Sequence, residues 1–201
     1  MFCGIVEETA IVRTIIREGD NIHFTLSCSF VSELKVDQSL SHNGVCLTIV
    51  DVKKDTYTVT AIKETLLKSN LGLLVEGSRV NIERSMKPDA RIDGHFVQGH
   101  VDQTAICSKI EEANGSWYFT FEYTPLQDDY ITVEKGSVCV NGVSLTVVNS
   151  QDRSFQVAII PYTYTITNFS DIRPGTVVNL EFDMIGKYIT RIVRTQLGNR
   201  G

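Results

Sequence analysis

Two hexapeptides carry the same residues at every position but one. Asn43-Gly44-Val45-Cys46-Leu47-Thr48 has a thiol where Asn141-Gly142-Val143-Ser144-Leu145-Thr146 has a hydroxyl. Either group can attack an electrophile once a neighbouring base activates it. A second pair sets Ile5 of Gly4-Ile5-Val6 against His100 of Gly99-His100-Val101, and a third sets Ser85 against Asp183. An imidazole such as that of His100 suits a proton shuttle, and Asp183 suits orienting a partner. A Ser-His-Asp set can be written from Ser144, His100 and Asp183, but the G-x-S-x-G elbow of hydrolases is absent. Each residue also has a plain structural use. Cys46 can serve as a small buried hydrophobe, Ser144 can satisfy a turn, and Asp183 can cap a tail helix. His95 and His100 lie five apart, unlike HExxH, and no cysteine lies near enough in sequence to complete a zinc site. Neither a P-loop nor GxGxxG is present, which disfavours nucleotide-fold chemistry.

These residues sit inside an internal repeat. Gly4-Ile5-Val6-Glu7-Glu8-Thr9-Ala10-Ile11 returns as Gly99-His100-Val101-Asp102-Gln103-Thr104-Ala105-Ile106, and the segments beginning Asn43 and Gly77 return at Asn141 and Gly175. Three blocks in one order imply duplication, with a period too long for a solenoid and suited to two small tandem domains. Each copy alternates apolar and polar residues, as in Asn21–Ser27, Tyr57–Ile62 and Ser154–Ile159, and reads as short strands of a small closed barrel. Short helices are expected over Glu64–Asn70 and Tyr162–Asn168. The tail departs from the repeat: Ile185, Tyr188, Ile189, Ile192, Val193 and Leu197 follow helical spacing, with Lys187, Arg191 and Arg194 on other faces. So short a helix needs a partner surface, either its own barrels or a second chain. The expected division is 1–87, 88–184 and a tail over 185–201, with the joint at Met86–Arg91.

Composition bounds the function classes. The 201 residues are 42% hydrophobic and 21% charged, with a formal net charge of −5. That balance supports a folded core and argues against disorder. Without a basic excess, nucleic acid is not the expected partner. No apolar run reaches the ~18 residues of a membrane helix, and the start lacks a signal-peptide pattern. Five cysteines, odd in number and without CxxC, fit a reduced cytoplasmic chain.

Taken together, four segments resemble the riboflavin synthase α-chain family: Ser41-His42-Asn43-Gly44-Val45-Cys46-Leu47-Thr48, Gly94-His95-Phe96-Val97-Gln98-Gly99-His100, Lys135 through Thr146, and Ile160-Pro161-Tyr162-Thr163. The likeness runs from Met1-Phe2-Cys3-Gly4 to Asp183–Tyr188, with Cys3 where the family usually has Thr. It implies an all-β chain of two tandem six-stranded Greek-key barrels with a C-terminal helix. It also implies a homotrimer joined by the tails, with association with lumazine synthase as a further possible partner, and no metal or redox cofactor. The implied reaction is dismutation of two 6,7-dimethyl-8-ribityllumazines to riboflavin and 5-amino-6-(D-ribitylamino)uracil, at sites shared between neighbouring chains.

The resemblance also implies binding residues. The N-barrel ligand is expected on Gly4, Ile5, Val6, Cys46, Leu47, Thr48, Thr60, Ala61, Ile62, Lys63, Glu64 and Thr65. The C-barrel ligand is expected on Gly99, His100, Val101, Ser144, Leu145, Thr146, Ala158, Ile159, Ile160, Pro161, Tyr162 and Thr163, with Lys135 reaching in from another chain. Ser144, Cys46, Ser39 and Thr146 are the candidate hydroxyl and thiol groups of the chemistry, with His100 and Asp183 as proton-handling partners. A non-catalytic lumazine- or flavin-binding antenna is the alternative within the same fold. The nicotinamide domain and RxYS signature of flavin reductases are absent, and the net charge disfavours an oligonucleotide-binding barrel.

Overall fold

Period-two alternation turns one face of a strand to a core and the other to solvent. The computed structural model describes residues 1–198, with side chains as far as Gln196. Its first barrel contains β1 (Glu8–Glu18), β2 (Asn21–Ser27), β3 (Ser39–His42), β4 (Val45–Val52), β5 (Tyr57–Ala61) and β6 (Arg79–Arg84). They close in the order β1-β2-β5-β4-β3-β6. All neighbours are antiparallel, and β6 returns beside β3 after the β3–β4–β5 meander, a Greek key. The second barrel repeats this order with β7 (Gln103–Ala113), β8 (Ser116–Glu122), β9 (Ser137–Val140), β10 (Val143–Val148), β11 (Ser154–Ile159) and β12 (Val177–Phe182). The long first strand of each copy is bulged at matching places, Val12/Thr14 and Cys107/Lys109. A bulge sharpens the twist a strand needs to wrap a small barrel. Each fifth strand leads into a short helix, α1 (Lys63–Lys68) and α2 (Pro161–Ile166), where helices were expected.

Each barrel has its own core. Phe24, Leu40, Ile49, Tyr57 and Val59 fill the first, and Phe119, Phe121, Phe155, Phe169 and Leu180 the second. His42 is fully buried in the first barrel, bonded to the Tyr57 hydroxyl at 3.0 Å and the Leu40 carbonyl at 3.1 Å. Burial pushes its pKa down to about 4, so it is a neutral structural imidazole.

The barrels meet through six buried asparagines around an approximate twofold axis. Asn43 and Asn141 turn the β3–β4 and β9–β10 hairpins with φ of 48° and 46°, each followed by a glycine near +80° (81° and 80°). Positive φ at both central residues is the type I′ hairpin. The turns abut so closely that a Cβ on Gly44 would lie 2.9 Å from the Gly142 nitrogen. Around them, the Asn81 amide donates to the Asn141 carbonyl (2.8 Å) and the Asn179 amide to the Asn43 carbonyl (2.8 Å). Backbone N–H groups of Asn168 and Asn70 donate to the side-chain oxygens of Asn81 (2.7 Å) and Asn179 (2.6 Å).

The tail forms α3 (Met184–Gly198). Ile185, Tyr188, Ile189, Ile192 and Val193 are 47–59% exposed apart from Tyr188 at 64%, so the stripe does not pack on its own barrels. The side chain of Leu197 and residues 199–201 of the expected tail lie outside the described residues. Among the described residues, no helix is long and apolar enough to cross a membrane.

Asn81→Ala would strand the Asn141 carbonyl, the Asn168 amide oxygen and the Asn168 N–H inside the seam. At about 1–3 kcal/mol per orphaned buried group, the expected loss is about 3 kcal/mol or more. Urea denaturation measures it, and a loss under about 1 kcal/mol would contradict a seam held by this lattice.

Candidate active site

The segment ahead of each barrel's first strand crosses the seam and packs on the other barrel. The Gly4 carbonyl accepts the Ser144 N–H at 2.7 Å, and Val6 belongs to the second barrel's core. Reciprocally, the Gly99 carbonyl accepts the Cys46 N–H at 2.8 Å, and Val101 packs against the first barrel's core. Only glycine fits at these contacts: a Cβ on Gly4 or Gly99 would lie 2.6 Å from the Cβ of Ser144 or Cys46, and φ is +75° or +81°. The two segments also pair with each other, with Phe2 and Val97 exchanging backbone bonds of 2.7 and 3.0 Å. The expected grouping is therefore corrected. Gly4, Ile5 and Val6 go with Ser144 of the second barrel, and Gly99, His100 and Val101 go with Cys46 of the first.

A buried carboxylate at the end of each sixth strand holds the crossing. Glu83 accepts the N–H groups of Cys3 (2.8 Å) and Gly4 (3.0 Å). Glu181 accepts those of Gln98 (2.6 Å), Gly99 (2.9 Å) and His100 (3.0 Å). Burial raises both acids, Glu181 to about 7, against the opposing pull of its backbone donors and Lys187. The Cys3 thiol lies 3.1 Å from the Glu83 carboxylate, a bond that a threonine hydroxyl could also make. Burial and Glu83 push that thiol up to about 11.

The first-barrel pocket holds about 230 Å³ and is lined by Val45, Cys46, Glu64, Thr65, Lys68, Ser69, Gly99, His100 and Val101. Strand β4 supplies the half-buried Cys46, and α1 supplies Glu64 and Thr65. In the second barrel, β10 supplies Ser144, whose Oγ lies 2.6 Å from Nδ1 of His95. Burial lowers the pKa of His95, with nearby Asp183 opposing. A neutral imidazole at that distance can take the hydroxyl proton. The histidine on Ser144 is therefore His95, and the Ser144–His100–Asp183 set does not form, because the crossing carries His100 to Cys46. Asp183 also caps α3, its Oδ1 accepting the Ile185 N–H at 2.9 Å.

Other expected residues are spread along the same walls. Leu47, Ala61 and Ile159 are buried in the barrels, while Thr48, Ile62, Lys63, Thr146, Ala158, Ile160, Pro161 and Tyr162 are exposed. Thr60 is bonded to His23 at 2.9 Å, and Leu145 and Thr163 are half-buried. Ser39 shares a groove of about 630 Å³ with Cys3, Ile5, Glu83, Ser85 and Met86. Lys135 lies apart from Ser144, beside Glu111, Glu112 and Tyr118. Sequence reasoning left His95, quoted as part of a family marker and weighed as a metal ligand, out of the catalytic candidates, along with both buried acids. The acids carried a signal: Val-Asn-x-Glu recurs at Val80–Glu83 and Val178–Glu181.

Comparison with known proteins agrees with the doubled fold. The lumazine binding domain family model matches twice, at residues 3–85 and 98–183. A riboflavin synthase of Bacillus subtilis is 38% identical over 201 residues, covering 100% of this chain and 93% of the relative. One from Mycobacterium tuberculosis is 40% identical, covering 97% and 99%, and one from Saccharomyces cerevisiae is 33% identical, covering 100% and 89%. Among solved structures, LumP complexed with 6,7-dimethyl-8-(1'-D-ribityl) lumazine superposes with a TM-score of 0.82 at 20% identity, covering 90% of this chain and 99% of that one.

Glu181 ties stability to pH. Its folded pKa of about 7 exceeds the ordinary 4.5, so the folded state holds the proton more tightly. This group's contribution therefore falls as pH rises from about 4.5 to 7. In urea titrations across that range, the stability of Glu181→Gln relative to wild type is expected to rise with pH. A constant difference would contradict the buried, proton-binding carboxylate.

Proposed function

This chain belongs to the riboflavin synthase family of lumazine-binding proteins, and we propose that each of its barrels takes one 6,7-dimethyl-8-ribityllumazine for dismutation. It is a transferase: one lumazine gives a four-carbon unit to the other, forming riboflavin and 5-amino-6-(D-ribitylamino)uracil. Atoms and electrons balance between two identical substrates, so the overall exchange needs no external oxidant or reductant. The observation that carries this reading is the twofold match to the lumazine binding domain, with a paired site in each copy. Incubation with the lumazine alone tests it: one riboflavin is expected for every two lumazines consumed. Binding without turnover would instead support the antenna reading.

The site residues have distinct proposed parts. The acceptor's C7 methyl is a carbon acid, since its anion delocalises into the ring, and the donor must be attacked at C7. The Ser144–His95 pair, 2.6 Å apart, is placed to move a proton at one bound ring. Cys46 and His100 face the other ring from the first-barrel pocket. Backbone groups of Gly4–Val6 and Gly99–Val101 would meet ring edges, and Thr48, Thr146, Thr65, Thr163 and Ser39 would meet ribityl hydroxyls. Two rings held in register replace a rare encounter, and effective molarities of ~10⁵ M or more make this a large part of the rate.

The two ligands meet where units 1–87 and 88–184 of neighbouring chains face each other. The uncovered apolar face of α3 supports a second copy of this chain as its partner, in a homotrimer. Association with lumazine synthase is tested by co-sedimentation of the two proteins. Five free thiols support a reducing, cytoplasmic setting.

Ser144→Ala is expected to lower kcat by about 10²–10⁴ while binding persists, the usual worth of a positioned acid–base group. His95→Ala should match it. Because burial holds His95 neutral, the wild-type acid limb of kcat should lie below pH 6.5. Rates near wild type in both variants would remove the pair from the chemistry. Ending the chain after Met184 should give monomers with little activity by sedimentation and assay. A fully active trimer from that truncation would contradict the role of α3.

A further inference from the structure

The repeat exposes an asymmetry in how the crossing segments are fastened. Each ends in an acid, Glu7 in the first copy and Asp102 in the second. In the first copy the backbone N–H of Arg84 donates to Glu7 at 2.8 Å, and the Arg84 guanidinium grips the same carboxylate at 2.5–3.1 Å. The residue matching Arg84 in the second copy is Phe182. Its N–H donates to Asp102 at 2.9 Å, repeating the backbone bond, but its ring brings no charge. The cation comes instead from the tail helix: Lys187 Nζ lies 2.6 Å from Oδ1 and 2.5 Å from Oδ2 of Asp102. Both side chains are largely shielded, 21% and 10% exposed, and the ammonium lies 5.9 Å from the centre of the Tyr130 ring.

One clasp is thus closed inside its barrel, and the other is lent by an element whose apolar face is uncovered. Asp102 directly follows Val101 and His100, which wall the Cys46 pocket. We propose that Lys187 is a positioning residue for the first-barrel pocket, coupling the seating of α3 to the closing of Gly99–Val101 over Cys46. The coupling is reciprocal: a ligand in that pocket tightens α3 on the barrel, and a well-seated α3 tightens the pocket. The crossing segment of the second-barrel site is clasped by Arg84 instead, so it does not rely on this contact. The proposal rests on the reading that each barrel binds one ring.

The test titrates full-length protein with riboflavin, the stable product, and follows hydrogen exchange of α3 at a concentration where each variant sediments like wild type. Wild type is expected to take two riboflavins per chain, with slowed exchange in α3 on saturation. Lys187→Met should weaken one of the two sites about tenfold or more and abolish the slowing, while Lys187→Arg restores both. Asp102→Asn/Lys187→Met leaves no stranded charge and should stay weakened at the same single site; it carries the test if Lys187→Met fails to fold. Wild-type affinity at both sites in the double variant, or in Lys187→Met, would overturn the coupling. Equal weakening of both sites would overturn it too. Failure of wild type to bind riboflavin would remove the functional reading itself, and the coupling with it.

Discussion

Six asparagines and two abutting hairpin turns fix where everything else in this molecule can lie. Their buried amides bond to one another and to the hairpin carbonyls across the seam, which makes the contact directional in a way apolar packing is not. Because Gly44 and Gly142 touch backbone to backbone, the barrels can neither slide nor rotate without stranding buried polar groups. The leader segments cross beside this seam, bonded to the opposite barrel and to each other. Glu83 and Glu181 seize the crossing amides from the sixth strands. Desolvation raises both acids, so the crossing is held at some cost in stability near neutral pH.

The crossing gives two equivalent strand positions different surroundings from one duplicated design. Cys46 and Ser144 occupy equivalent strand positions, and each is backed by a glycine from the other copy's leader. Around Ser144 the approach is tight, with Gly94, His95 and Cys3 close by and a 2.6 Å hydrogen bond already formed. Around Cys46 there is an open pocket with polar side chains from α1. A reaction between two copies of one substrate needs such inequality, because one ring must give and the other must receive. Duplication supplies the matched recognition, and a handful of substitutions in the second copy supplies the difference.

The barrels and the tail helix were legible in the sequence for simple reasons. Strand alternation is local, the Asn-Gly turns mark the hairpins, and the stripe from Ile185 to Val193 has helical spacing. Which barrel a leader segment joins is a long-range choice, and Gly4–Val6 and Gly99–Val101 read identically whether they pack at home or across the seam. The same limit hid His95. Its partner Ser144 is 49 residues away, while its nearest chemically suggestive neighbour in sequence was His100, which the crossing sends to the other pocket. Cys46, Ser144 and His100 were found as candidates because they are places where the repeats differ. Glu83 and Glu181 were passed over because there the repeats agree, although a buried acid kept in both copies has a shared structural duty.

The exchange of leader segments is the claim on which the two sites depend, and a crystal structure with riboflavin bound in both barrels tests it most directly. The ring in the first barrel is expected against Cys46–Thr48 and Gly99–Val101, and the ring in the second against Ser144–Thr146 and Gly4–Val6. A first-barrel ring resting on Gly4–Val6, with Gly99–Val101 turned to the second barrel, would contradict the arrangement.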